Sequence, residues 1–186
     1  MDLAFEVMVG IGLSAACGFR IFIPMLGLSI AAISGHIELA EGFHWLGTWS
    51  ALFVFITAAC IEVFAYYIPF VDNLLDSIAT PSAIIAGTIA TSSIITEVSP
   101  LLQWSLALIA GGGVSGVIQF GTTVVRGISS STTGGLGNPL ISLAELMGSL
   151  ITTFLAIVLP IVCMILITIV FFYLFNTLKV KSIKSM

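Results

Sequence analysis

Long apolar runs, interrupted by single charges at wide intervals, dominate the chain. Between consecutive charges lie the uncharged stretches 42–61, 77–96, 98–125 and 146–178. Each holds at least the roughly 20 residues that cross a bilayer core as a helix. The Gly, Pro and Ser punctuation between the runs predicts helices at about 5–33, 46–69, 82–97, 101–125, 139–159 and 161–178. The expected fold is all-α: a polytopic transmembrane helix bundle of about six helices, one domain over residues 1–186 with a basic tail at 179–186.

Composition agrees with that pattern. Of 186 residues 59% are hydrophobic and only 8% charged, against the roughly 25% charged residues of an ordinary soluble domain. Five basic residues in no stripe exclude nucleic-acid binding as the main activity. Asp2 and Glu6 precede the first apolar run without any base, the reverse of a cleaved signal peptide, so the first helix is expected to stay. Cys17, Cys60 and Cys163 sit in apolar runs without metal-type spacing and read as small hydrophobes. His36 and His44 read as exposed surface.

Charge also orients the bundle. Lys179, Lys181 and Lys184 make the C-terminal tail cytoplasmic by the positive-inside rule, in a bacterial cytoplasmic (inner) membrane. Six helices then put the N-terminus inside, the acidic 34–45 loop and the Glu97 turn outside, and an Arg126 loop inside. Trp45 and Trp49 follow the acidic loop where an aromatic belt would lie. The stretch 139–178 would be about 60 Å long as one helix, twice a bilayer core, so it must fold back near Pro160. Ala156–Val162 offers no polar turn there, which leaves a tight hairpin and a broken or re-entrant helix as alternatives.

A repeat is visible at an offset of 101: Gly10, Gly12, Ser14 and Phe19 align with Gly111, Gly113, Ser115 and Phe120. Units 1–98 and 99–178 of three helices each would be inverted relative to one another, as in many secondary transporters. Small residues four apart (Ser14 and Gly18, Gly27 and Ala31, Ala83 and Gly87, Gly112 and Gly116) read first as helix-packing faces, within the chain or between subunits of a homo-oligomer.

The candidate chemistry lies in charges placed where charges are costly. Arg20 falls within the first hydrophobic segment, where an unpaired cation costs at least roughly 2.5–3.5 kcal/mol, so it needs a partner. Glu62 and Glu145 both lie seven residues from a helix end, at similar depth in this topology. They are expected either to lock Arg20 in an ion pair or to form a site with it. Asp72, Asn73 and Asp76 follow Pro69; the two aspartates would share a helix face and hold magnesium or another cation, or else serve as caps and loop charges. Thr80-Pro81-Ser82 reads as the start of the next helix. Arg126 through Asn138, with five consecutive hydroxyl residues and four glycines, reads as a flexible loop or as a backbone nest for an anion.

The stretches Gly12–Pro24 with its Arg-x-Phe-x-Pro, Glu62–Asp76 with its Tyr-x-Pro-x-x-Asp-Asn, and Gly134–Glu145 resemble the bacterial membrane-protein family called domain of unknown function 4126. The resemblance implies that Arg20, Glu62, Asp72, Asp76, Arg126, Asn138 and Glu145 belong to one signature. It implies no activity. The function expected from the residues is a small transporter or channel for an ion or small anion, proton coupling included, in contact with membrane lipids. Arg20, Glu62 and Glu145 would form its centre; Asp72, Asn73, Asp76, Arg126 and Asn138 would line its cytoplasmic mouth. No cofactor beyond a cation is implied. The alternatives are a lipid-phosphate carrier, a magnesium-dependent enzyme acting on a lipid diphosphate, and a structural subunit that moves nothing.

Overall fold

The computed structural model describes residues 2–184, and their side chains except those of 69, 70, 72, 73, 174, 175 and 177–184. Its helices are α1 (Leu3–Cys17), α2 (Phe22–Ile33), α3 (Trp49–Ala65), α4 (Pro69–Ser92), α5 (Pro100–Leu106), α6 (Gly113–Thr133), α7 (Asn138–Val158) and α8 (Pro160–Lys184). A π-helical turn, Ala107–Gly112, joins α5 to α6 into one rod, and a 3-10 turn, His44–Gly47, precedes α3.

The first predicted helix, 5–33, is two helices. Pro24 has no N–H to donate to the Arg20 carbonyl, which weakens a helix across 20–24, and the chain breaks there; Pro24 is accommodated in the first turn of α2. The chain reverses across the break. Along α7, contacts with α1 descend as α1 ascends: Gly12 lies at Ala156, Ala16 at Ser149 and Arg20 at Ser142. Contacts with α2 ascend instead, from Ile23 and Gly27 toward Thr153 and Ile157. Thus α1 and α2 form a helical hairpin with Arg20 at its turn.

Both open ends of this hairpin lie at one end of the bundle. There the Glu6 carboxylate accepts from Thr96 N at 3.0 Å and Thr96 Oγ1 at 2.6 Å, and Ala40 N donates to Ser93 O at 2.8 Å. This is the loop end; the turns 66–68 and 134–137 lie at the opposite, site end. From the loop end α3 runs away, α4 returns, α5–α6 runs away, α7 returns and α8 runs away. The N-terminus and the end of α8 therefore lie at opposite ends, which corrects the same-side placement that six passes imply. The hairpin supplies the extra pass.

That pass also changes the repeat. Gly10 and Gly111 both press on Thr91, Ser14 and Ser115 both lie at Gly87, and Gly18 meets Ile118. The two matched stretches flank α4 at the same levels and run in parallel, where three-helix units would have made them antiparallel. At Pro160 the chain makes the tight hairpin: Leu159 alone leaves helical geometry (φ -137, ψ 61), and Gly12 packs against both Ala156 and Cys163.

Two further boundaries differ from expectation. α4 starts at Pro69, not near 82, and Pro81 lies inside it on an exposed position; membrane helices tolerate an internal proline where nearby groups satisfy the carbonyl it leaves free. α6 continues to Thr133 because Ser131, Thr132 and Thr133 return their hydroxyls to carbonyls three or four residues back. Gly134, at φ +65, then ends it in the left-handed conformation.

Packing inverts the usual soluble pattern. The interior is rich in small and hydroxyl residues, Ser14, Thr91, Ser92, Ser93, Ser115 and Ser149 among them, while Phe53, Phe64, Ile109, Phe154 and Phe172 are exposed. Large exposed side chains on every long helix fit a lipid-facing surface. α4 from Leu74, the α5–α6 rod and α7 are each long and apolar enough to span a bilayer. Glycines let these backbones approach: a methyl on Gly12 would come within 2.7 Å of Ala156 Cβ, and one on Gly18 within 2.6 Å of Ile118 Cβ. Cys17 and Cys163 are buried, as small hydrophobes would be, whereas Cys60 is exposed. His36 and His44 are exposed.

Candidate functional site

The hairpin turn carries Arg20 into the bundle. Its guanidinium donates through Nη2 to the Ser142 carbonyl at 3.1 Å and to the Ser142 hydroxyl, and lies 3.5 Å from Glu145 Oε2. Arg126, from α6, grips the same carboxylate: Nε donates to Oε1 at 2.8 Å and Nη2 to Oε2. Two fixed cations thus share one glutamate. Nη1 of Arg126 also lies 3.7 Å from Asp76 Oδ1 on α4. Arg20 and Arg126 are only 1% and 2% exposed.

Tyr66, at the end of α3, completes the cluster. The Arg20 Cζ lies 3.8 Å and the Arg126 Cζ 4.2 Å from the centre of its ring. An aromatic face stabilises a guanidinium without using its N–H groups, which point outward from the edge of the stacked plane. On Arg20 these donors are not all used. Nε and Nη1 are buried and have no hydrogen-bond partner among the described residues.

Glu62 acts one step away. Its two oxygens accept from Ile21 N at 2.8 Å and Phe22 N at 3.0 Å, the free amides at the start of α2. A carboxylate there satisfies orphan donors and meets the positive end of the helix dipole. It secures the turn that aims Arg20.

The predicted residues therefore divide. Arg20, Glu145, Arg126 and Asp76 converge, and Glu62 supports them. Arg126 was expected in a mouth loop; it stands inside α6 because the hydroxyl run beyond it is helical. Residues 126–133 spend their amides on helix, which leaves the turn 134–137 as the non-helical part of that stretch. Asn138 donates through Nδ2 to Ser130 Oγ at 3.1 Å, one helical turn nearer the site end than Ser142. Asp72 and Asn73 occupy the first turn of α4, and their side chains lie outside the described residues. Among the described residues no three His, Cys, Asp or Glu side chains gather as a metal site. Lys179, Lys181 and Lys184 also have side chains outside the description.

Tyr66 and Ser142 were not singled out from the sequence. A signal existed: Tyr66 follows Glu62 by four residues and Ser142 precedes Glu145 by three, so each shares a helix face with a predicted carboxylate.

A helical membrane protein with a re-entering helix pair and a buried two-arginine cluster is the class these features define. Residues 7–179 match the family described as Domain of unknown function (DUF4126), and the chain belongs to it. No curated protein and no solved structure matches the chain.

Proposed function

We propose that this protein is a membrane carrier of a small oxyanion, with Arg20 as its anion-binding group. The observation that supports this reading is the desolvated guanidinium of Arg20, whose Nε and Nη1 meet no acceptor among the described residues. Buried donors are rarely left unmet, and charged ones least of all. An oxyanion would supply the acceptors. The turn of a discontinuous helix pair is also where carriers place their solute. The basic tail directs the site end toward the cytoplasm, and the hydroxyls of Ser129 and Ser130, one turn beyond Arg126, mark a polar approach from that end.

A lipid phosphate is the second reading. An apolar groove between α2 and α7, lined by Ile23, Leu26, Gly27, Phe154 and Ile157, begins three residues after Arg20, and its lining suits an acyl chain.

Purified protein in liposomes tests both. Labelled inorganic phosphate should exchange across the membrane, and Arg20→Gln, assembled normally by size exclusion, should lose at least about ten-fold of that rate, the effect of about 1.4 kcal/mol at one hydrogen-bonded charge. Movement of labelled phosphatidic acid between leaflets, with no phosphate exchange, would select the lipid reading. Exchange unchanged in Arg20→Gln would overturn both.

A further inference from the structure

Charge balance in the cluster bears on how an anion could enter it. Among the described side chains two guanidiniums, Arg20 and Arg126, face three carboxylates. Glu62 is held by the amides of Ile21 and Phe22, and Asp76 lies 3.7 Å from Arg126. Glu145 is the carboxylate that both guanidiniums reach. The site therefore has no spare positive charge. An anion arriving beside Arg20 would add a negative charge in surroundings that screen it poorly.

We propose that the anion is taken up together with protons that match its charge, and that Glu145 receives the first of them. This rests on the anion reading above. A proton from water at the site end binds a Glu145 carboxylate oxygen. The guanidinium contacts to that oxygen are lost, and the freed Arg20 donors turn to the anion. On release both proton and anion leave, and the Glu145 carboxylate returns to Arg20 and Arg126. The charge of the site is the same before and after loading.

The groups that share the surroundings of Glu145 are few. α3 contributes Glu62 and Tyr66, α4 contributes Asp76, α6 contributes Arg126, and the hairpin contributes Arg20 with Cys17 just before its turn. α2 contributes no titratable side chain, and the described ones of α8 are Cys163 and Tyr173. Of these only Glu145 is a carboxylate buried against both arginines.

The test uses the full chain in liposomes with the membrane voltage set by potassium and valinomycin. Labelled inorganic phosphate is followed in counterflow, with phosphate on both sides, and in net uptake at zero and at inside-negative voltage. The wild type should show counterflow, and its net uptake should be the same at both voltages and rise when the outside is made acidic. Uncoupled movement would instead fall roughly ten-fold for every ~60 mV per charge. In Glu145→Gln the net uptake that remains should become voltage-dependent and lose its response to outside acid. Counterflow with voltage-dependent wild-type uptake overturns coupling and leaves the anion reading standing. Voltage-independent uptake by a folded Glu145→Gln variant overturns the role of Glu145. Absence of counterflow overturns the anion reading and the coupling with it. If Glu145→Gln does not assemble, the wild-type voltage comparison decides alone.

Discussion

Arg126 lays its Nε and Nη2 against the two oxygens of Glu145, the Nε contact at 2.8 Å, across the interface of α6 and α7. Both side chains are nearly inaccessible. A buried pair of this kind is most sensitive to losing one partner, because the other is left charged and unmet. Replacing Arg126 or Glu145 singly by Met should destabilise the protein by about 3–5 kcal/mol, and the double replacement by clearly less than the sum. Unfolding in detergent followed by tryptophan fluorescence checks this; additive losses would show that the pair is uncoupled.

Glu62 should act through the hairpin turn. Glu62→Ala leaves the amides of Ile21 and Phe22 without their acceptors and should weaken the start of α2 by about 1–2 kcal/mol, as loss of a helix cap does. Glu62→Gln keeps an acceptor oxygen and should fall between Ala and wild type. Hydrogen exchange at residues 18–24 reads the effect directly. Equal exchange in all three proteins would show that Glu62 does not secure the turn.

The helical hairpin fixes a topology that labelling can read. Because α1 and α2 enter and leave at the loop end, the N-terminus should lie on the opposite side of the membrane from the C-terminus and on the same side as the 34–48 loop. Single cysteines at Asp2, Glu38 and Ser182, placed in a background lacking Cys17, Cys60 and Cys163, should react with an impermeant maleimide in two groups, the first two together. Reaction of positions 2 and 182 from one side would contradict the hairpin.

Apolar runs too long for any soluble core, and too sparsely charged, determined by themselves that this chain is a helical membrane bundle. The high desolvation cost of buried charge likewise marked Arg20, with Glu62 and Glu145, as interior residues needing partners, whereas Asp76 and Arg126 read as residues of the cytoplasmic mouth. Local pattern was less informative where several conformations satisfy the same residues. Pro81 could start a helix or sit within one, and a run of Ser and Thr could be a loop or helix with hydroxyls bonded back to its carbonyls. Tertiary structure decided these cases, and it alone decided that the chain reverses at Arg20. Pro24 favours a break there, but whether the next helix continues onward or returns depends on Gly27 fitting against Thr153 and on Glu62 arriving from α3 to cap the turn. Those contacts are made between residues tens to more than a hundred positions apart, and no local periodicity encodes them.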